Sequence, residues 1–193
     1  PIDSHGAYSV SAMQFGDKLF LFYTGNVRDE NWVRHPHQLG ALMGKDGHIE
    51  KLGKDLIPKP SNATGHFRDP QIFQYKNHYY AIVGGQNQEK KGFVRLYRAV
   101  NNDYRNWEEI GDLDFKNDNT AYMMECPNLV FVDEKPVLIY CPQGLDKDVF
   151  HYDNIYPNLY KIGETFDPEN ATITPVSELH QLDYGFDVYA TQA

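Results

Sequence analysis

The chain has 193 residues, 41% of them hydrophobic, which is enough to build the core of a globular domain. Its 27 acidic and 18 basic residues give a net charge of −9, and this excess argues against nucleic acid or anionic lipid as a partner. No apolar run approaches the ~20 residues that a membrane-spanning helix needs, and the first residues lack the pattern of a signal peptide. We therefore expect a cytoplasmic protein whose partner is a small molecule.

The chain repeats one pattern, in which an apolar strand, a polar turn and a second apolar strand follow one another. Residues 11–23, 69–83 and 125–140 share this layout. A polar residue opens each unit, first Ser11, then Asp69, then Glu125. A fourth such residue, Asp187, precedes an apolar stretch at residues 188–190 that is predicted to begin another strand. The regular spacing of these residues indicates an internal repeat.

Two further strand-like runs follow each of the first two hairpins. They lie at residues 38–43 and 49–51 in the first unit and at residues 93–100 and 107–110 in the second. Four short antiparallel strands per unit are typical of a β-propeller blade. Because propellers close with about four to eight blades, the roughly three and a half blades predicted here indicate an all-β domain that is part of a longer propeller.

The first strand of each propeller blade lines the central channel, so the residues that open these strands are expected to face a common cavity. Glu125 stands beside Met124 and Cys126, and the partial desolvation expected there favours the protonated carboxyl that a general acid needs. Arg68 precedes Asp69, and a cation at that position is expected to lower the pKa of the Asp69 carboxyl. These two carboxylates are the candidate catalytic groups.

Residues 26–37 are predicted to form a long loop that contains Arg28, Arg34, His35 and His37. Long loops in compact domains are often functional, and arginine binds phosphate in a bidentate manner. One interpretation is that Arg28 and Arg34 bind a phosphate group. The other is that these charges only pair with neighbouring acidic residues at the surface. The two histidines lack the cysteines or carboxylates that would complete a metal site, so no metal or cofactor is expected.

Three motifs of the chain resemble the signatures of glycoside hydrolase family 32, the invertases and fructosidases, in their order and spacing. The motifs are His66-Phe67-Arg68-Asp69-Pro70, Glu125-Cys126-Pro127 and Leu182-Asp183-Tyr184-Gly185-Phe186-Asp187-Val188-Tyr189-Ala190. Within the family the chain is most similar to the bacterial enzymes that hydrolyse sucrose 6-phosphate. This similarity is seen in Tyr23-Thr24-Gly25-Asn26, Gln38-Leu39-Gly40-Ala41 and Val83-Gly84-Gly85-Gln86.

The resemblance implies a five-bladed propeller followed by a β-sandwich, and the retaining hydrolysis of a fructosyl bond. It implies that Glu125 is the general acid/base and that Asp69 stabilises the transition state. Four further residues are implied to contact the substrate: Tyr8, Ser9, Arg68 and Asp187. The family's nucleophile belongs to an Asn-Asp-Pro motif that this sequence lacks. We therefore expect the nucleophile upstream of residue 1, and the chain by itself to be inactive.

Residues 1–193 are accordingly expected to be a partial catalytic propeller domain, with the blade that carries the nucleophile and the β-sandwich outside this sequence. Val10, Val188 and Thr191 depart from the family's motifs and bear on substrate detail more than on reaction class. Sucrose 6-phosphate is the favoured substrate. The alternatives are an invertase or fructan hydrolase that acts on unphosphorylated sugar, and a non-catalytic sugar-binding propeller.

Overall fold

The computed structural model describes residues 2–117, 121–185 and 187–193, and the regular secondary structure of this part of the chain is almost entirely β-strand. The first sheet contains, in spatial order, β1 (Ala7–Phe15), β2 (Lys18–Arg28), β3 (Arg34–Met43) and β4 (Ile49–Ile57). The second contains β5 (Ala63–Tyr75), β6 (His78–Asn87), β7 (Gly92–Ala99) and β8 (Trp107–Asp112). The third contains β9 (Met123–Val132), β10 (Lys135–Gln143), β11 (Leu159–Asp167) and β12 (Thr172–Val176), and β13 (His180–Gln181) also pairs with β11. A 3₁₀ turn (Val100–Asn102) and the short helix α1 (Lys147–Phe150) lie between strands.

Each sheet is an antiparallel meander in which strands that follow one another in sequence are neighbours in space. The first strands of the three sheets are brought together, since β1 packs against β5 and β5 packs against β9. The prediction of an all-β fold made of four-stranded antiparallel sheets is confirmed. The count of five blades stays a prediction. Within the described residues, no helix has the length and apolar content needed to cross a membrane.

Two-residue turns set the register of the hairpin that opens each sheet. The turn between β1 and β2 has Gly16 at its first central position with φ 60°, as a type II′ turn requires. In the turns after β5 and β9 both central residues have positive φ, as in a type I′ turn. These central residues are Lys76 and Asn77, then Asp133 and Glu134. The turns join strands at the positions that the repeat predicted.

The hydrophobic core lies between the sheets, where aromatic side chains of neighbouring sheets meet. Phe22 of the first sheet stacks on Trp107 of the second, with ring centroids 5.6 Å apart. Phe73 of the second sheet packs against Phe131 and Phe166 of the third at about 6 Å. Burying each such side chain contributes about 1.5–3 kcal/mol, so the sheets hold one another in place mainly through these contacts.

The predicted long loop at residues 26–37 is wrong, because most of it belongs to strands. β2 continues to Arg28 and β3 begins at Arg34, and these two residues are paired across the strands. The strand was not predicted from the sequence because it contains Pro36, and proline has no N–H to donate a hydrogen bond to a β-ladder. It is tolerated because β4 pairs with β3 only from Gln38 onwards, which leaves Pro36 on an open edge. The strand predicted at residues 188–190 is not formed either.

Gly84 in β6 sets how closely the second sheet approaches the strand that carries Glu125. A Cβ atom at this position would lie 2.0 Å from the backbone oxygen of Met124, which is closer than any real contact. A side chain at residue 84 would therefore push β9 away from β6.

We predict that Gly84→Ala lowers the free energy of unfolding by about 1–3 kcal/mol, the usual effect of overpacking a core. Urea denaturation of the full-length polypeptide measures this change. Gly47→Asn is the matched control, because Gly47 lies in an exposed turn with φ 80° and has open space around it, and asparagine tolerates that conformation. Equal free energies of unfolding for wild type and Gly84→Ala would contradict the prediction, because β9 would then move away from β6 with no loss of stability.

Candidate active site

Each of the three inner strands is irregular at the same end, and these irregularities aim side chains into one cavity. The register shifts between Ala7 and Val10 in β1 and between Arg68 and Gln71 in β5, and β10 shifts opposite Cys126 of β9. Asp69 and Cys126 both adopt left-handed conformations, with φ values of 65° and 47°. Such a conformation costs about 1–3 kcal/mol in a non-glycine residue, and bulges of this kind re-aim side chains beside active sites.

The cavity at the end of the inner strands has a volume of about 360 Å³. Its lining comprises Tyr8, Ser9, Arg34, Arg68, Asp69, Glu125, Cys126, Tyr189 and Ala190. Eight residues are predicted from the sequence to act in catalysis, substrate contact or phosphate binding, and six of them line this cavity: Tyr8, Ser9, Arg34, Arg68, Asp69 and Glu125. The other two do not: Asp187 is exposed and outside the lining, and Arg28 donates instead to the backbone oxygen of Trp32. Phe186, in the same motif as Asp187, lies outside the described residues.

The carboxylate of Glu125 is held by four hydrogen bonds. Its Oε1 accepts from Nε and Nη2 of Arg68, at 3.1 and 2.7 Å. Its Oε2 accepts from Nε2 of Gln143 at 2.8 Å and from the hydroxyl of Tyr189. Both oxygens therefore have hydrogen-bond partners on other strands or segments, which fix the orientation of this candidate acid/base. Sequence analysis identified Glu125 but missed Gln143 and the role of Tyr189.

Arg68 is itself oriented by a neutral histidine. Its Nη1 lies 3.0 Å from Nδ1 of His66, and because arginine only donates, Nδ1 is the acceptor and the imidazole carries its proton on Nε2. Burial and the positive charges of Arg68 and Arg34 lower the pKa of His66. The histidine therefore stays neutral at neutral pH and leaves the guanidinium free to hold Glu125.

Asp69 is buried, and its Oδ2 accepts hydrogen bonds from the backbone N–H of Cys126 at 3.0 Å and from the thiol of Cys126 at 3.5 Å. Nε of Arg68 lies 3.7 Å from the same oxygen. Burial raises the pKa of the Asp69 carboxyl above its ordinary value, against the opposing effects of Arg68 and the Cys126 N–H. The expectation of a lowered pKa was wrong in sign: Arg68 does lower the pKa of Asp69, but the desolvation of the buried carboxyl outweighs this effect.

A buried polar chain fixes the backbone of Asp69 to the first sheet. The Asp69 N–H donates to the hydroxyl of Thr24 at 2.9 Å, and that hydroxyl donates to Oε1 of Gln38 at 2.7 Å. Nε2 of Gln38 then donates to the backbone oxygen of Phe67 at 3.0 Å. Sequence analysis missed this network. The available signal was the presence of Thr24 and Gln38 within otherwise apolar strands.

The two cysteines are free, and both thiols are buried. Burial raises the pKa of Cys126, whose Sγ lies 3.5 Å from Asp69 Oδ2 and 3.4 Å from the Ser9 hydroxyl. Burial likewise raises the pKa of Cys141 to about 12, and its thiol donates to Oδ1 of Asn158 at 2.8 Å. Both thiols therefore stay protonated at neutral pH and are poor nucleophiles.

Arg34 differs from the other arginines in the described part of the chain. Its guanidinium lies over the Tyr8 ring at 5.9 Å, on the cavity wall, and makes no hydrogen bond or ion pair to a described residue. The remaining arginines each donate to a carboxylate or a backbone oxygen: Arg28, Arg68, Arg95, Arg98 and Arg105. Arg34 is thus a cation that faces the cavity with its donors free. In the described ranges, no cluster of three or more His, Cys, Asp or Glu residues could hold a metal ion.

We predict that Asp69→Asn makes the full-length polypeptide more stable at neutral pH. At a pH above the raised pKa of Asp69 in the folded state, wild type buries an ionised carboxylate, and the desolvation of this charge lowers the free energy of unfolding. Below 3.8, the pKa of this group in the unfolded chain, the carboxyl is protonated in both states and this cost is absent. The variant's advantage in Tm should therefore be present at pH 8 and shrink as pH falls towards 4. Asp17→Asn, in an exposed turn, controls for the change in net charge. A variant less stable than wild type at pH 8 would contradict the prediction.

Comparison with known proteins shows the family to which the chain belongs. The family model for the glycosyl hydrolases family 32 N-terminal domain matches residues 1–193. Sucrose-6-phosphate hydrolase from Streptococcus mutans is 61% identical over 191 residues, which cover 99% of this chain and 40% of the relative. The chain therefore spans less than half the length of this relative.

Two solved structures show the same fold. Sucrose-6-phosphate hydrolase from Lactobacillus gasseri matches with a TM-score of 0.91 and 49% identity, over 98% of this chain and 39% of that one. A mutant of a Bombyx mori family 32 β-fructofuranosidase in complex with sucrose matches with a TM-score of 0.80 and 35% identity, over 94% of this chain and 39% of that one. The chain belongs to glycosyl hydrolase family 32, and it matches the N-terminal domain of that family over its whole length.

Proposed function

We propose that the full-length polypeptide is a retaining glycoside hydrolase that cleaves the β-fructofuranosyl bond of sucrose 6-phosphate. The observation that carries the proposal is the placement of Arg68 between two carboxylates, 2.7 Å from Glu125 and 3.7 Å from Asp69, at the wall of one cavity. Two acidic groups in different environments at one cavity are the arrangement that glycoside hydrolysis uses.

Glu125 acts as the general acid and then as the general base, because its carboxyl faces the cavity and is held from both sides. Asp69 and Arg68 bind the fructosyl ring and stabilise the positive charge that develops on it in the transition state. Tyr8 and Ser9, on the cavity wall, contact the sugar through a ring face and a hydroxyl. The predicted contact of Asp187 with the substrate stays a prediction, since Asp187 lies outside the residues that line this cavity.

The retaining mechanism also needs a carboxylate nucleophile ~5–5.5 Å from the acid/base. Asp69 is an unsuitable nucleophile, because it is buried and its Oδ2 is occupied by the backbone N–H of Cys126. We propose that an aspartate outside this sequence supplies the nucleophile, in a further blade of a five-bladed propeller, and that a β-sandwich follows the propeller. The greater length of the matched relatives supports this arrangement.

The position of Arg34 supports a phosphorylated substrate rather than free sucrose or a fructan. A guanidinium on a cavity wall with no carboxylate partner is a ready site for an anion, and arginine matches phosphate geometry. The names of the relatives from Streptococcus mutans and Lactobacillus gasseri support the same substrate. A charged sugar phosphate does not cross membranes unaided, which supports a cytoplasmic location.

The reaction is tested with Glu125→Gln in the full-length polypeptide. This isosteric change removes the transferable proton, so kcat for sucrose 6-phosphate should fall by about 10²–10⁴. Glu134→Gln, in an exposed hairpin turn, should leave kcat unchanged. The 193-residue chain assayed alone should show no turnover, because the nucleophile is missing. Activity that survives Glu125→Gln would overturn the proposed mechanism.

Substrate choice is tested with Arg34→Ala. Charge-assisted hydrogen bonds are worth about 1.5–3 kcal/mol, so KM for sucrose 6-phosphate should rise by about tenfold or more while KM for sucrose changes little. Arg28→Ala is the matched control, because Arg28 pairs with Arg34 across the strands yet does not line the cavity. Equal effects of Arg34→Ala on both substrates would place the phosphate site elsewhere.

A further inference from the structure

We infer that Gln192 binds a further inner strand of the same polypeptide, through hydrogen bonds from its side-chain amide to the backbone of that strand. The strand meant is the inner strand of the blade upstream of residue 1. This inference rests on the proposed function, which places a blade that carries the nucleophile outside this sequence. The observation behind it is a contact that recurs from one sheet to the next.

One side chain of each inner strand bonds to the backbone of the next inner strand, and we call it a bridging residue. The hydroxyl of Ser11 donates to the backbone oxygen of Pro70 at 2.8 Å and accepts from the N–H of Ile72 at 3.0 Å. Nε2 of Gln71 donates to the backbone oxygen of Leu129 at 3.2 Å, and its Oε1 accepts from the N–H of the same residue at 2.9 Å. The first two sheets are thus each linked to the following sheet by a single side chain.

Asn128 of β9 is the third bridging residue. Its Nδ2 donates to the backbone oxygen of Thr191 at 3.4 Å, and its Oδ1 accepts from the N–H of Ala193 at 3.2 Å. These two backbone groups flank Gln192, just as the groups bonded in the second sheet flank Gln71. Gln192 therefore occupies the fourth position of the series.

The backbone conformation supports this equivalence. The residue two positions before each of Gln71, Asn128 and Gln192 has a positive φ and lines the cavity that contains Glu125. These residues are Asp69, Cys126 and Ala190, with φ values of 65°, 47° and 55°. Because the same conformation recurs at the same offset, the segment that carries Gln192 follows the path of an inner strand.

Gln192 differs from the three bridging residues, because its side chain makes no hydrogen bond to another residue in the described part of the chain. It is exposed and lines a second cavity of about 300 Å³ together with Ser11, Gln71 and Asn128. A glutamine amide both donates and accepts, so Gln192 is able to bond a backbone oxygen and an N–H as Gln71 does. The outward backbone groups of another inner strand are the partners that fit it.

The opposite end of the series, at β1, is open in the complementary way. Within the described ranges, no side chain bonds to the backbone of Val10 or Ala12, the residues that flank Ser11. The chain thus has an unused bridging residue at one end and an inner strand without a bridge at the other. One inner strand between them satisfies both, which agrees with the further blade of a five-bladed propeller.

The path of the first residues indicates that this strand lies upstream of residue 1. Phe22 points towards the second sheet, whereas Tyr23 lies on the opposite face of the first sheet, where Ile2 packs against its cluster. On that same face, a Cβ atom at Gly25 would lie 2.8 Å from the backbone oxygen of Ile2. The polypeptide therefore enters the first sheet on the face turned away from the second sheet, which is the side of the open position.

A bond from Gln192 bears on the reaction, because the upstream strand carries the proposed nucleophile. In the second and third sheets the bridging residue follows the cavity residue by two positions, so each bridge fixes the backbone beside the site. The bond from Gln192 fixes the strand of the nucleophile relative to Glu125, at the ~5–5.5 Å separation that a retaining mechanism needs. Since Gln192 does not line the cavity that contains Glu125, it is a positioning residue.

A diazirine-bearing amino acid at residue 192 of the full-length polypeptide identifies the bound strand directly. On irradiation we expect an intramolecular cross-link, which mass spectrometry maps to the polypeptide upstream of residue 1. The same amino acid in place of Gln74, an exposed glutamine, is the matched control and should give no such link. A link between two polypeptides, a link to residues downstream of residue 193, or reaction with water alone would each overturn the inference.

The variant Gln192→Ala tests the positioning role. We expect kcat for sucrose 6-phosphate to fall by about tenfold while KM changes little, because small misplacements of reacting groups slow the chemical step. Gln192→Asn should keep most of the activity, since Asn128 shows that an asparagine bridges two inner strands. Gln74→Ala should match wild type.

An unchanged kcat in Gln192→Ala would overturn the positioning role, and so would an equal loss in Gln192→Asn. The cross-link does not depend on turnover and separates the inference from the proposed function. An upstream cross-link in a polypeptide that does not hydrolyse sucrose 6-phosphate would support the contact of Gln192 and refute the proposed function.

Discussion

The position of Arg68 between Glu125 and Asp69 is the interaction on which the rest of the site depends. A buried guanidinium is costly to desolvate, and it is tolerated here because two carboxylates and His66 surround it. One cation cannot satisfy two anions equally. Arg68 directs two hydrogen bonds to Glu125 and leaves Asp69 at 3.7 Å, so the two carboxyl groups differ in environment although they share one cavity. That asymmetry supports the proposal that Glu125 is the acid/base and that Asp69 is a buried carboxylate that binds the sugar.

The strands that present these side chains are strained where they reach the cavity. Asp69 and Cys126 each precede a proline and adopt positive φ, a combination that ordinary strand geometry excludes. The strain is maintained by contacts on either side, since the Asp69 N–H bonds to Thr24 and the Cys126 N–H bonds to the Asp69 carboxylate. The two irregular strands therefore support each other, and the site exists only when the second and third sheets are packed together.

Buried amide side chains serve as braces between segments that are distant in sequence. Gln38 joins the first sheet to the second through Phe67, and Gln71 bonds to the backbone of Leu129 in the third sheet. Asn128 and Asn158 hold the segment that carries Tyr189. Each brace satisfies backbone groups that no strand partner reaches, which explains why polar residues occupy interior positions of apolar strands.

The sequence by itself predicted the hairpin that opens each sheet, the polar turn within each hairpin and Arg68, Asp69 and Glu125 as candidate site residues. These features are local, because alternation, turn residues and a repeated motif depend on neighbours along the chain. Only the tertiary structure decided three others: the direction in which the Asp69 pKa moves, the contact of Tyr189 rather than Asp187 with the cavity, and the exposure of Arg34 without a partner. Each of these depends on which groups from other sheets surround the residue. Packing across the sheets decides how deeply Asp69 is buried, how Arg68 divides its contacts between two carboxylates, and where the segment that carries Tyr189 runs. Residues that are neighbours along the chain do not determine these features.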